Sequence, residues 1–219
     1  MEAAVRAVIV AGGDPDPSDV SWLTDAGLLV AADSGASWLD ELGITPDLLV
    51  GDLDSVGEAL VDRLAAAGVT IERHAADKDE SDAELALARA VESGAETIVI
   101  LGALSGERLD HELANLLLLA DPAWRGRDVR IVRGTTSVRA LHGGESLELT
   151  GQPGDVVTLL PVRGDAQGVT TDGLRYPLAD EELRFGRSRG LSNVVERAGA
   201  SVWLKSGTLL VIESREQGE

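Results

Sequence analysis

The sequence predicts an α/β protein in which an N-terminal, mostly parallel sheet with flanking helices is followed by a C-terminal all-β, sandwich-like region. Two observations support this fold class. Up to about residue 120, short apolar runs alternate at least four times with helix-like segments, as parallel sheets require. After residue 133 the helical periodicity disappears, and short runs of alternating apolar and polar residues replace it. We therefore expect two domains, residues 1–134 and 135–219.

In the first half, the predicted strands are short and mostly apolar runs, and three of the five are followed directly by glycine or aspartate. Strands are predicted at 5–10, 28–32, 48–50, 69–72 and 97–101. Helices are predicted at 18–26, 35–42, 55–67 and 82–93, with a last one ending near 120. Ser55 with Glu58, and Ser81 with Glu84, have capping-box spacing, and Gly43, Gly68 and Gly94 are typical helix stops.

In the second half, the alternating runs predict strands at 146–149, 156–160, 168–171, 201–205 and 208–212. Asp172-Gly173 and Ser206-Gly207 are dipeptides typical of hairpin turns. No helix-like segment interrupts these runs, so we interpret residues 135–219 as a β-sandwich or half-barrel.

Composition excludes several classes of function. The formal net charge is −19, which argues against nucleic acid as a partner because phosphate binding needs a basic face. The chain has no cysteine and three histidines, so disulfides, thiolate metal sites and a His-rich metal site are excluded. It lacks an apolar run of the ~18 residues that a membrane span needs and a typical signal sequence, so we expect a cytoplasmic protein without membrane contact.

Acidic residues recur where the predicted strands end. Asp33 follows one strand, Asp52 and Asp54 follow the next, and Asp77, Asp79, Asp82 and Asp110 lie at the starts of later helices. Parallel strands bring these positions to one end of the sheet, where ligands bind in open α/β folds. Several unscreened carboxylates there repel one another unless a cation such as Mg²⁺ is bound. The alternative is that each one caps a helix or lies in a solvated turn.

The stretch 102–111 adds residues that suit a phosphate. Gly102 and Gly106 are typical of a loop that lets a ligand approach, and Arg108 suits a phosphate group. Asp110 suits a metal or a helix cap. No G-x-x-x-x-G-K-[ST] loop occurs in the chain, so the residues indicate a Mg²⁺–nucleotide enzyme of another type, or only an acidic surface.

Four motifs in one order resemble the thiamine pyrophosphokinase family over nearly the whole chain. Residues 51–55 match G-D-x-D-S, and residues 77–82 match D-x-D-x-[TS]-D. Residues 102–111 resemble G-x-x-G-x-R-x-D-H, with Glu107 where the family commonly has glycine. In the second half, 173–178 and 190–193 resemble G-L-x-Y-x-L and G-x-S-N.

The resemblance implies an ATP-binding catalytic domain at 1–134 and a thiamine-binding, dimerisation β-sandwich at 135–219. It implies transfer of pyrophosphate from ATP to thiamine in a homodimer with sites at the subunit interface. Mg²⁺ would be held by Asp52, Asp54 and Asp79. The other implied residues are Asp82, Arg108 and Asp110 in catalysis; Asp33, Asp77, Gly102, Arg108 and His111 at ATP; and Ser192 and Asn193 at thiamine.

Side chains outside the motifs receive simpler interpretations. An aromatic wall is expected around the thiamine cation, and Trp203 and Tyr176 are candidates, with a core role as the alternative for each. Trp22, Trp38 and Trp124 are interpreted as packing residues, and His74 and His142 as surface residues.

Two alternatives of other classes remain open at this point. Residues 48–56 resemble the motif of haloacid-dehalogenase-type phosphatases, in which Asp52 would be a covalent nucleophile. That family also needs a later lysine, and the chain has only Lys78 and Lys205. The other alternative is a sensing module that binds nucleotide or thiamine without turnover.

Overall fold

The computed structural model describes residues 5–105 and 108–215. The described chain divides into two compact units. The first contains the residues up to 115 together with 126–134, and the second contains 116–125 and the residues from 135 onwards. Among the residues described, no helix combines the length and the apolar character needed to cross a membrane.

The first unit is built on six strands that all pair in parallel. They are β1 (Arg6–Val10), β2 (Leu28–Ala32), β3 (Leu48–Gly51), β4 (Thr70–Arg73), β5 (Thr97–Leu101) and β6 (Asp128–Arg133). Their spatial order is β6-β5-β1-β2-β3-β4. Strands β2 to β4 are thus added on one side of β1, and β5 and β6 on the other. The strand order therefore reverses between β1 and β5, which is where open α/β sheets form a ligand crevice. This confirms the predicted parallel sheet.

The described residues form four α-helices, α1 (Gly35–Glu41), α2 (Glu58–Ala66), α3 (Asp82–Glu92) and α4 (Leu109–Leu118). Leu39 of α1 and Val61 of α2 share one core cluster with strand residues, and Trp22 and Trp38 pack against it. The packing interpretation of these two tryptophans is therefore confirmed. The α3 helix contacts β1, β2 and β3, and its buried Leu87 lies outside that cluster, so α3 covers the other face.

Two helix starts differ from prediction. The segment predicted as a helix at 18–26 is a 3-10 helix, Pro17–Leu23, whose first N–H groups are satisfied by Asp16 and Asp19 in a capping box. The α2 helix begins at Glu58 without a side-chain cap, because its N-cap residue is Gly57, and the Ser55 hydroxyl donates to Asp33. The Ser81 cap is confirmed, since its Oγ accepts from the N–H of Glu84 at 3.2 Å.

The second unit contains two antiparallel sheets. Their strands are β7 (Thr136–His142), β8 (Ser146–Glu148), β9 (Val156–Pro161), β10 (Ala166–Asp172), β11 (Glu181–Leu183), β12 (Asn193–Val194), β13 (Ser201–Trp203) and β14 (Thr208–Ser214). The orders are β12-β9-β14-β7 and β11-β10-β13-β8. One buried cluster takes residues from both sheets, for example Leu159 and Leu209 from one and Val169 and Val202 from the other.

Neither predicted dipeptide forms the tight turn of a two-residue hairpin in this unit. Gly173 and Gly207 do adopt positive φ, +73° and +101°, as turn glycines. However, β10 pairs with β11 only after an intervening segment, and the Ser206-Gly207 turn joins β13 to β14, which lie in different sheets. Four observed strands, β6, β7, β11 and β12, have no predicted counterpart.

Candidate active site

The turn after β3 brings the two aspartates of the D-x-D motif together. Leu53 between them has φ +64° and is buried, so its side chain turns inward. The N–H of Asp54 donates to Asp52 Oδ1 at 3.1 Å. Gly51 has φ +149°, and a Cβ there would lie 3.2 Å from Asp33 Cβ and from Asp82 Oδ1. A glycine at this position therefore allows acids from two other elements to approach the turn.

Asp33, Asp52 and Asp54 form a three-carboxylate group. Each offers one oxygen, and these oxygens all lie within 4.8 Å of one another. Asp33 follows β2, and its N–H donates to Val50 O at 2.9 Å, which ties the β2 turn to β3. Asp33 Oδ2 accepts from the Ser55 hydroxyl, whereas its buried Oδ1 accepts no hydrogen bond from any residue that the structure describes.

The proximity of these acids changes their electrostatics. The charge of Asp52, the hydrogen bond between the two residues and the charges of Asp33 and Asp82 together raise the pKa of Asp54. Repulsion of this kind disfavours the ionised form of each carboxyl and is relieved when a cation binds.

Lys78 is the basic residue next to this group. Its Nζ lies 2.8 Å from Asp82 Oδ1, and its side chain is 13% exposed. Burial lowers the pKa of Lys78, but the hydrogen bond and charge of Asp82, with the charges of Asp52 and Asp33, outweigh burial and raise it. We call Asp33, Asp52, Asp54 and Asp82 the acidic cluster. One ammonium balances only one of its four carboxylates.

The donor set fits a hard divalent cation. Only carboxylate oxygens face one another in the three-carboxylate group, and Mg²⁺ and Ca²⁺ prefer such ligands. The unpartnered Asp33 Oδ1 supports this fit, because a buried polar atom without a partner is costly. Nitrogen or sulfur donors, which would favour zinc, do not belong to the group.

Several expected site residues lie outside the acidic cluster. Asp77 and Asp79 are exposed beside the start of α3, and neither belongs to the three-carboxylate group. Asp33 is the third member, although it was expected to contact ATP.

Arg108 and Asp110 pair with each other rather than with the cluster. Arg108 Nε and Nη2 donate to Asp110 Oδ1 and Oδ2 at 2.9 and 2.7 Å, and both side chains are about two-thirds exposed. This hydrogen bonding lowers the pKa of Asp110 to about 2. His111 follows in the exposed first turn of α4. The expected ligand-approach residue Gly106, and Glu107, lie outside the described residues.

The loops after β1 and β5 meet closely at the switch point of the sheet. The N–H of Gly13 donates to Gly102 O at 2.8 Å. A Cβ on Gly13 would lie 2.5 Å from that oxygen, and one on Gly102, at φ +65°, would lie 2.6 Å from Ala11 O. The glycines are thus required by backbone packing, and the surface that they form is suited to close approach of a ligand.

In the second unit, the two expected thiamine residues differ in their freedom. Ser192 is exposed with φ +55°. Its backbone N–H donates to Thr158 Oγ1, and its hydroxyl forms no hydrogen bond with any residue that the structure describes. Asn193 is buried, and its amide binds the backbone N–H and C=O of Tyr176 at 3.0 and 2.7 Å. Tyr176 and Trp203 are 58% and 41% exposed, so neither is a core residue.

The sequence reasoning missed two contacts of the site. The first is the hydrogen bond from Ser55 to Asp33, which joins residues 22 positions apart and leaves no local signal. The second is the ion pair of Lys78 with Asp82, whose i, i+4 spacing was a usable signal.

Comparison with known proteins gives one consistent family. Residues 21–132 match the family profile described as thiamin pyrophosphokinase, catalytic domain, and residues 146–209 match that described as thiamin pyrophosphokinase, vitamin B1 binding domain. Thiamine pyrophosphokinase from Bacillus subtilis (strain 168) is 27% identical over 210 residues, which cover 95% of this chain and 98% of that protein. Thiamine pyrophosphokinase 2 from Arabidopsis thaliana is 29% identical over 189 residues, which cover 79% of this chain and 67% of that protein.

A solved structure agrees with the sequence matches. The crystal structure of thiamine pyrophosphokinase from Bacillus subtilis is similar with a TM-score of 0.84 at 27% identity, over 96% of this chain and 99% of that chain. The similarity therefore extends over both units.

Proposed function

The chain belongs to the thiamine pyrophosphokinase family, and from this premise we propose how its residues divide the work of the reaction. The enzyme transfers a pyrophosphoryl group from ATP to thiamine. A bond forms between the thiamine hydroxyl oxygen and the β-phosphorus of ATP, the bond from that phosphorus to the oxygen kept by AMP breaks, and the hydroxyl proton is released. The phosphatase and sensor alternatives are not favoured.

The observation that carries the proposed mechanism is the convergence of Asp33, Asp52 and Asp54 within the segment that matches the catalytic domain. We propose that these three residues hold Mg²⁺, with Asp79 outside the set because it does not belong to the three-carboxylate group. When bound, the cation supplies charge neutralisation for the ATP phosphates. Ser55 orients Asp33 through its hydroxyl, and Gly51 keeps room for the approach of the acids.

The remaining groups of the first unit position the substrates. Lys78, held by Asp82, supplies a positive charge beside the cluster and is suited to a phosphate oxygen. Asp77 and Asp82 are the candidates for orienting the attacking hydroxyl. Arg108, held in a fork by Asp110, is suited to bidentate phosphate binding with support from His111. The packed loops at Gly13 and Gly102 offer backbone to ATP.

Thiamine recognition is assigned to the second unit, which matches the vitamin B1 binding profile. We propose that its two sheets form a sandwich, which the shared buried cluster supports. Ser192 is the proposed polar contact to thiamine, and the exposed Tyr176 and Trp203 offer aromatic faces to its cationic ring. Asn193 acts indirectly, since its amide fixes the backbone of Tyr176.

A homodimer, with thiamine bound where the subunits meet, is the proposed assembly. Its support within the chain is an apolar stripe on α4, where Leu109, Leu113 and Leu117 are 66, 51 and 54% exposed at i, i+4 and i+8. Leu113→Glu is expected to shift the sedimentation coefficient from dimer to monomer, while the exposed Leu42→Glu serves as control. A wild-type monomer at micromolar concentration would refute the assembly.

Product analysis tests the reaction itself. Purified protein is incubated with Mg²⁺, ATP and thiamine, and the products are separated and quantified. AMP and thiamine diphosphate in equal amounts are expected. ADP with thiamine monophosphate would mean transfer of a single phosphoryl group, and an acid-stable phosphoenzyme at Asp52 would instead support the phosphatase alternative.

A further inference from the structure

A pocket of about 360 Å³ lies wholly within the second unit, among residues that the reaction does not use. It is lined by the ends of strands β7 and β14 and by three neighbouring segments. The charged and polar side chains of the lining are Arg125, His142, Arg163, Lys205, Ser206 and Thr208. Its volume lies within the range of small-molecule sites.

The pocket is basic in a strongly acidic chain. Three of the 19 lysine and arginine residues line it, while the whole chain carries a formal net charge of −19. Arg163 and Lys205 form no ion pair with any residue that the structure describes. Most of the other arginines are paired with carboxylates, so these two charges are available to an external anion.

The third cation is fixed in place. Arg125 Nε lies 3.1 Å from Glu145 Oε1, and its Nη2 donates to Gly143 O at 2.9 Å. Glu145 in turn accepts the N–H of His142 at 3.1 Å. Glu145 neutralises one of the three positive charges, so the lining keeps an excess of two.

The strand ends that line the pocket contribute buried polar side chains. His142 is 6% exposed, which corrects the expectation that it is a surface residue. Its Nδ1 lies 3.5 Å from Oγ1 of Thr208, and the two residues are opposite each other in the pairing of β7 with β14. The Lys205 stem lies against Gly168, where a Cβ would be 2.6 Å from Lys205 Cβ.

We propose that this pocket binds the phosphate groups of a small phosphorylated molecule, at a second site distinct from the acidic cluster. Guanidinium forks and an ammonium are the usual protein partners of phosphate oxygens. The Ser206 and Thr208 hydroxyls add neutral donors. A carboxylate ligand would use one fork only, whereas a diphosphate or a nucleotide offers enough oxygens for both unpaired cations.

Calorimetric titration tests the proposal on the full chain. Pyrophosphate and AMP are titrated in the presence of a chelator, so that the acidic cluster without divalent cations repels both anions. Saturable binding of one equivalent is expected, and Arg163→Gln or Lys205→Gln should weaken it about tenfold or more. Asp52→Asn should leave this affinity unchanged.

Matched controls distinguish binding at the pocket from non-specific attraction of an anion to positive charge. Arg187→Gln removes one exposed positive charge elsewhere in the same unit and should not change the affinity. Chloride at equal ionic strength should not compete. Equal affinity in wild type and both pocket variants, no saturable binding at millimolar probe, or the same loss with Arg187→Gln would each overturn the proposal. Unchanged circular dichroism of the variants confirms that a loss of binding is not a loss of fold.

Discussion

The two units place carboxylates in opposite environments. In the second unit, Glu213 is 5% exposed, and its Oε1 lies 2.6 Å from Nη2 of the equally buried Arg139. Its Oε2 accepts the N–H groups of Thr150 and Gly151 at 2.7 and 2.9 Å. In the first unit, Asp33, Asp52 and Asp54 face one another, and Asp33 Oδ1 has no donor among the described residues.

The difference distinguishes a carboxylate that stabilises the fold from one that serves function. A buried carboxylate whose two oxygens both accept hydrogen bonds holds backbone in place, here the segment that follows β8. Carboxylates that repel one another destabilise the unliganded protein, and they persist where a ligand compensates. Neutralising one member should therefore have opposite consequences in the two units.

The largest expected effect is the loss of turnover in Asp52→Asn. Removing one carboxylate from the proposed cation site should reduce kcat by about 1,000-fold, or about 4 kcal/mol of transition-state stabilisation. The free energy of unfolding should stay the same or rise, because one repulsive charge is removed from the acidic cluster. AMP formation and urea unfolding measure the two quantities. Activity within tenfold of wild type would refute the role of Asp52.

Asp79→Asn is the matched comparison for this variant. Asp79 carries the same charge in a neighbouring motif but is exposed and outside the three-carboxylate group. A smaller loss than in Asp52→Asn is expected. Equal losses would mean that Asp79 completes the cation site, as the family resemblance alone implies.

Glu213→Gln is expected to reduce the stability of the fold, whereas Asp52→Asn is expected to reduce turnover. Arg139 would remain buried without its counter-charge, so the free energy of unfolding should fall by about 3 kcal/mol, measured by urea unfolding. The double variant Arg139→Met with Glu213→Leu should lose less stability, because no unpaired charge remains.

Glu182→Gln is the exposed control: it breaks a surface pair with Arg184 and should change stability by less than about 1 kcal/mol. A similar small change for Glu213→Gln would contradict the assignment.

Local sequence was sufficient where a strand is continuously apolar. The predicted ranges of β2 and β5 agree with the structure, because runs such as 97–101 are buried on both faces of a parallel sheet. The stop at Gly68 is also confirmed by its φ of +90°. Short strands such as β12, with two residues, carry no periodicity long enough to detect.

Side-chain partners across long chain separations were beyond prediction. Ser55 had the spacing of a helix cap, but α2 begins three residues later, and the fold brings Asp33 within reach of the Ser55 hydroxyl, which donates to its carboxylate. Arg139 and Glu213 are 74 residues apart and meet only through the pairing of β7 with β14. The D-x-D motif itself was recognisable, whereas its third carboxylate depended on which of several strand-end acids points inward.

The smallest expected effect is the pH dependence of the stability that Asp54 contributes. It distinguishes a cluster of mutually repelling carboxylates from a solvated acidic surface. Because neighbouring charges raise the pKa of Asp54, the folded protein holds this proton at a pH where the unfolded chain has released it. The contribution of Asp54 to the free energy of unfolding therefore falls as pH rises through the raised pKa. Asp54→Asn removes this contribution, so its Tm relative to wild type should rise between pH 4 and pH 7, with the exposed Asp62→Asn as control.

Added Mg²⁺ should raise the Tm of wild type more than that of Asp54→Asn, because a ligand that binds the folded state stabilises it. If the Tm difference does not change with pH and with Mg²⁺, the acidic cluster is a solvated surface, and the contrast with Glu213 fails.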